Sequence, residues 1–301
     1  MKQKIPTRQK LLTSRSNAGI HRLASRTTKT IALVIPRFEG VFYSYFALQV
    51  IKGIGVAAER LGYDLLIHIT KERSVGIPPA IAGVLFLDIF EHEQLVERSV
   101  DEGIPTVVLN HYVEDLPVSC VAIDNRTAAE RVVEYLAGLG HRDIATITGD
   151  LKTQAGLDRL DGFVRALRGR QFPVKDAYIR HADFGVAAAR ESAQALLSLP
   201  DRPSAIFAAS DDMALETMAV ALHRGLRVPE DLSIVGFDDN PIAAHGRVPL
   251  TTMRQPLTDM GCRGFDMLLD QVKKRRQTPT KLLLPAELIE RESCRQTWLD
   301  R

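Results

Sequence analysis

From residue 31 onward, short β-branched runs alternate with longer stretches of helical period, a rhythm that confines the chain to βαβ units on parallel sheets. Strands are expected at 31–36, 64–69, 83–87, 106–109 and 120–123, then at 144–148, 177–180, 205–208 and 233–236. Helices are expected between them at 45–61, 91–102, 127–139, 158–168, 186–199, 213–224 and 257–274. Gly62, Gly103, Gly140 and Gly225 stand where a helix end favours a left-handed residue. With 301 residues, 45% of them hydrophobic, the chain can bury a sizeable core and divide into two units of roughly 100–150 residues. The expected fold class is α/β, two doubly wound parallel-sheet subdomains with a ligand cleft between them.

One connection is short. Only 13 residues, 70–82, join the second and third strands, and Pro78-Pro79 interrupts any helix there. About a dozen residues suffice for a parallel crossover but leave no room for a covering helix of ordinary length. Part of one sheet face is therefore expected to be thinly covered, or covered by a partner.

Charge is unevenly placed. Residues 1–30 hold eight of the 39 Lys and Arg residues and none of the 37 acids, so a basic arm precedes an acidic body beneath the overall charge of +2. Such an arm suits a polyanion, because each Lys or Arg beside a phosphate releases a condensed counterion; a solvated tail without a partner is the alternative. The apolar runs 31–36 and 82–87 are too short to span a bilayer, and the basic start lacks the apolar core of a secretory signal, so a cytoplasmic location is expected. Cys120, Cys262 and Cys294 are far apart and odd in number, which favours free thiols over a disulfide or a zinc site.

In doubly wound domains ligands bind beyond the carboxyl ends of the strands. Polar and aromatic residues expected there are Asp124-Asn125, the stretch 149–159, Phe184, Ser210-Asp211-Asp212 and Asp238-Asp239. Carboxylates, amides and a guanidinium hydrogen-bond hydroxyls or ring nitrogens, and a Phe ring covers an apolar face, so the set suits a polyhydroxylated or heteroaromatic ligand. Taken singly, an Asp or Ser after a strand is equally a turn former or a helix cap. Enzyme signatures are lacking. Gly53-Ile54-Gly55-Val56-Ala57-Ala58 fits G-x-G-x-x-A, but it lies deep in an expected helix and not at a strand-to-helix turn. No P-loop, G-x-S-x-G elbow or H-E-x-x-H frame occurs, so neither catalysis, cofactor nor metal is expected.

The ordered strings IALVIPRFEGVFYSYFALQVIKGIGVAAERLGYDLLI, VAIDN, YLAGLGHRDIATITG, DRLDGFVRAL, IFAASDDMAL, GLRVPEDLSIVGFDD and PLTTMRQP resemble the sensory domains of the LacI/GalR family of transcriptional regulators, over about residues 17–294. The resemblance implies the fold of type I periplasmic binding proteins, with the subdomains at 31–124 plus 256–278 and 125–255 plus 279–294, after an arm and hinge remnant at 1–30. It implies a repressor-type regulator that couples binding of a small effector, a sugar, a sugar derivative or a nucleobase-like ligand, to operator DNA as a homodimer. Effector contacts are implied at Phe42, Tyr43, Asp124, Arg159, Phe184, Ser210, Asp211, Asp238 and Gln255, and hinge contacts to DNA at Asn17, Leu23 and Ala24. Two departures stand out: residues 1–16 do not accommodate the family's helix-turn-helix headpiece, and the shortened 70–82 crossover lies near its dimer surface. A cytosolic binding protein without a DNA role is the alternative function.

Overall fold

The computed structural model describes residues 28–36, 44–70, 77–89, 93–274 and 278–297. Strands β1 (Thr30–Pro36), β2 (Asp64–Thr70), β3 (Gly83–Leu87), β4 (Thr106–Leu109) and β5 (Ser119–Ile123) form a first sheet, and β6 (Ile144–Thr148), β7 (Ile179–His181), β8 (Ala205–Ala208), β9 (Ser233–Asp238) and β10 (Thr251–Arg254) a second. Two late strands complete them, β11 (Lys281–Leu284) beside β5 and β12 (Glu287–Ile289) beside β10, giving the orders β11-β5-β4-β3-β1-β2 and β12-β10-β9-β8-β6-β7. All pairings are parallel except β10 with β12. The helices are α1 (Tyr45–Leu61), α2 (Glu93–Asp101), α3 (Asn125–Gly138), α4 (Gln154–Gly169), α5 (Val186–Leu197), α6 (Asp211–His223), α7 (Pro241–His245) and α8 (Leu257–Val272).

The expected elements form, with shifts that local chemistry explains. Helix α4 begins at Gln154 because Thr153 caps it, its Oγ1 accepting from the Gly156 N–H at 3.2 Å. Strand β7 starts at Ile179 because Asp176–Tyr178 closes a 3₁₀ turn first. Gly62, Gly103, Gly140 and Gly225 all have positive φ. One expectation needs correcting. The segment 279–294 does not belong wholly to the second unit, since β11 pairs with Cys120–Ile123 in the first sheet, and the chain changes sheets between Leu284 and Glu287.

Strands β3, β5 and β6 are buried along their whole length, as parallel strands covered on both faces must be. Ile31, Leu33 and Ile35 pack with Leu85 and Leu87 under α1 and α8. Those two helices approach closely. A Cβ on Gly53 would lie 2.1 Å from the Thr258 carbonyl oxygen, and one on Gly261 2.4 Å from that of Val50. Gly53, the first glycine of the G-x-G-x-x-A look-alike, is therefore a helix-crossing residue. Gly53→Ala is expected to cost about 1–3 kcal/mol by overpacking, read by urea unfolding; a variant as stable as the parent would show that the crossing has room.

On the opposite face Ala32, Val34, Val84 and Phe86 pack against Leu95 and Val96 of α2, with Ile77 and Ile81 of the short crossover beside them. No helix forms among the described residues between β2 and β3. Leu66, in register with Ala32 and so on the same face, is 41% exposed on the edge strand.

Candidate functional site

Arg159 lies one and a half turns into α4 and is only 5% exposed. Its Nε donates to Asn125 Oδ1 at 2.8 Å and its Nη1 to the Ala209 carbonyl at 2.5 Å, while the guanidinium sits 3.7 Å from the ring centroid of Phe237. Three strand ends thus fix one cation: Asn125 after β5, Ala209 after β8 and Phe237 in β9. Helices α3 and α4 can present Asn125 and Arg159 to each other because Gly162 leaves room, a Cβ there falling 2.2 Å from the Arg126 carbonyl oxygen. Burial draws the Arg159 pKa down to about 10, against the field of Asp238 and Asp211.

Asp238 ends β9 and Asp239 follows it, with φ of 127° and 57°, two successive non-glycine residues at positive φ, a conformation that costs about 1–3 kcal/mol each. Their side chains serve different groups. Asp238 Oδ1 accepts from Gln255 Nε2 at 2.5 Å, whereas Asp239 accepts from Arg254 Nε at 2.7 Å and Arg291 Nη2 at 2.5 Å. Burial pushes the Asp238 carboxyl well above the usual carboxylate range despite Arg159, and the Asp211 charge adds to the rise. Burial also raises Asp239, but its bonds to Arg291 and Arg254 outweigh that and hold it low.

Asp211 has no exposed surface; its Oδ2 accepts from the Asn240 N–H at 2.7 Å and its Oδ1 from Thr252 Oγ1 at 2.5 Å. Gly236 makes room for it, since a Cβ there would fall 2.3 Å from Oδ1. Ser210 caps α6, accepting from the Met213 N–H at 3.4 Å, and Asp124 caps α3, accepting from Thr127 at 3.1 Å. Phe184, at φ 61°, lays its ring over Gly149, where a Cβ would meet it at 2.1 Å, and stands 5.7 Å from the Arg159 guanidinium.

The structure brings Arg159, Phe184, Asp238 and Gln255 together at the carboxyl ends of the second sheet, with Asp211 sealed beneath them. Asp124 and Ser210 are at strand ends in capping roles. Phe42, Tyr43, Asn17, Leu23 and Ala24 lie outside the described residues. Sequence reasoning missed Phe237, Arg254 and Arg291, and it missed Tyr45. Burial raises the Tyr45 pKa, the charges of Asp239, Asp238 and Asp211 add to the rise, and Arg254 opposes it. Its position at the first turn of α1, after the cap Ser44, was the available signal. Among the described residues no cluster of three His, Cys, Asp or Glu side chains is disposed to hold a metal ion.

Residues 133–294 match the family model described as periplasmic binding protein-like domain. The chain is 35% identical over 279 residues to the HTH-type transcriptional repressor CytR of Escherichia coli K12, covering 89% of this chain and 80% of that protein. It is 33% identical over 291 residues to the HTH-type transcriptional regulator CelR of Thermobifida fusca, covering 92% and 84%. Among solved structures, the CelR–cellobiose complex superposes with a TM-score of 0.80 at 29% identity, covering 92% of this chain and 89% of that one. The lac repressor dimer bound to operator has the same fold, at a TM-score of 0.78 and 22% identity over 93% and 98%. These relatives are regulators and not enzymes. With two six-stranded sheets of the periplasmic-binding-protein kind and this degree of identity to CytR and CelR, the chain belongs to the LacI family of transcriptional regulators and comprises its effector domain.

Proposed function

We propose that the chain is the sensing body of a cytoplasmic repressor that binds a sugar or sugar derivative between its subdomains and couples cleft closure to operator DNA as a homodimer. The observation that carries this reading is the buried Arg159 on Phe237, beside the Asp238–Gln255 pair and the Phe184 ring. A guanidinium supplies donors, a carboxyl and an amide supply acceptors, and an aromatic face covers C–H surface, which together match a polyhydroxylated ring. The cellobiose in the CelR complex supports the ligand class, and the lac repressor dimer on its operator supports the coupling. In this reading Arg159, Asp238, Gln255 and Phe184 touch the effector, with Phe42, Tyr43 and Tyr45 on the facing wall. Asp124, Ser210 and Asp211 shape the wall through their caps and backbone bonds. Asn17, Leu23 and Ala24 contact DNA.

A thermal-shift series against sugars, sugar phosphates and nucleobases tests it. A ligand at about 100 times its Kd stabilises the native state by about 2.7 kcal/mol, so a true effector raises the Tm by several degrees. Asp238→Asn, which keeps the shape but changes the charge and an acceptor, is expected to abolish that rise. A hit confined to nucleobases would replace the sugar reading, and silence across all three classes would sink it.

A further inference from the structure

Gln154 and Tyr112 belong to different subdomains and meet twice. The Tyr112 N–H donates to Gln154 Oε1 at 2.6 Å, and Gln154 Nε2 donates to the Tyr112 carbonyl at 3.1 Å. A side-chain amide that satisfies both backbone groups of one residue acts as a single rung of β-ladder between the halves. It also fixes which end of the amide is oxygen. Neither residue belongs to the three crossovers near 124–125, 255–256 and 285–286, where the chain itself joins the sheets.

Both ends are anchored. Gln154 is the first residue of α4, held by the Thr153 cap and by the Asp150 turn, where Asp150 accepts from the Lys152 N–H at 2.9 Å. Tyr112 lies in the 110–118 loop between β4 and β5, entered through Asn110 at φ 63°, and its ring packs on the first-subdomain cluster of Ala32, Val34 and Phe86. Five residues beyond Gln154, on the same helix, is Arg159. A movement of α4 at the cleft floor is therefore a movement of the clasp.

We propose that Gln154 is a latch that sets the open–closed balance of the two subdomains in the absence of effector. A closed form held by two hydrogen bonds is weakened when they are removed, and a ligand gripping Arg159 then has further to close it. The proposal stands whatever the effector is, because it is read on the ligand-free chain.

Gln154→Met keeps the side-chain volume and removes both bonds. Hydrogen exchange at the Tyr112 amide is expected to quicken by about tenfold, with a larger radius of gyration by small-angle X-ray scattering at matched concentration. Gln154→Glu keeps an acceptor for the N–H and loses the donor, so it is expected to fall between parent and Met variant. Circular dichroism checks that each is folded, and the Glu variant carries the test if the Met variant is not. Tyr112 exchange as slow as in the parent would overturn the proposal. So would faster exchange with unchanged scattering, which would make the clasp a local fastening of one loop.

Discussion

Arg159→Ala is expected to weaken effector binding by more than about tenfold and to lower stability by about 4 kcal/mol, because each charge-assisted hydrogen bond is worth about 1.5–3 kcal/mol. The guanidinium makes two such bonds, to Asn125 Oδ1 and the Ala209 carbonyl, and truncation leaves both acceptors buried without a donor. It also empties the space over Phe237. Desolvation opposes these losses. Burial that draws the Arg159 pKa to about 10 disfavours its charged form by about 3 kcal/mol, and removing the charge returns that amount. The stranded acceptors and the emptied space over Phe237 outweigh the return. Arg159→Lys separates charge from geometry: a compact ammonium cannot reach both acceptors as a planar fork does, so binding is expected to fall although the charge remains. Calorimetric titration with the effector found by thermal shift and urea unfolding read the two effects. An Ala variant with unchanged Kd would remove Arg159 from the effector site, whatever its stability.

The parallel-sheet frame was legible because it rests on local signals. Gly83–Leu87 and Ile144–Thr148 are short apolar runs bounded by turn residues, and Gly62 marks its helix end with φ of 69°. The late strands were not legible. Glu287–Ile289 and Lys281–Leu284 are three and four residues long, and which sheet each joins depends on partners outside its own segment, Thr252–Arg254 for β12 and the distant Cys120–Ile123 for β11. The site shows the same division. Arg159, Phe184 and Asp238 were singled out from their expected strand-end positions and Gln255 from the family resemblance alone, and the four side chains do lie together. The same reasoning gave equal weight to Asp211 and Ser210, whose bonds to Asn240, Thr252 and Met213 only coordinates reveal. Phe237 escaped notice because a strand aromatic reads as core, and it is core, with its ring also a platform for a cation. In the short crossover no helix forms among the described residues around Pro78-Pro79, and Leu66 on the neighbouring edge strand is exposed.

Between pH 7 and pH 5 the chain is expected to lose about 2 kcal/mol of stability through His141 alone. The residue precedes β6 and is 2% exposed, with Nδ1 2.9 Å from Ser204 Oγ and Nε2 2.9 Å from Ser233 Oγ. It ties together the amino ends of β6, β8 and β9, opposite the cleft, so its task is cohesion and not recognition. The hydrogen-bond network assigns the tautomer. Ser204 Oγ donates to the Asp143 carbonyl and so accepts from Nδ1–H; Ser233 Oγ already accepts from the Arg295 N–H, which leaves its own O–H to donate to Nε2. A second proton on the ring would meet that O–H head on. Burial, with the positive charge of Arg295 acting in the same sense and a backbone bond to Arg295 against it, holds the His141 pKa at about 4, against 6.5 for a free imidazole. The unfolded chain therefore takes up a proton first as pH falls through 6.5, and stability drains away until the folded form also binds one near pH 4, for a total of about 3 kcal/mol. Asp238 and Asp211, raised by burial, act in the opposite sense, because the folded chain binds their protons first as pH falls. The His141 contribution is isolated by the slope of stability against pH in His141→Gln, whose amide keeps a donor and an acceptor but has no proton to gain. A slope of stability against pH that is less positive than the parent's by about 1 kcal/mol per pH unit between pH 7 and 5 confirms the buried neutral ring; parallel slopes would mean that His141 titrates alike in both states.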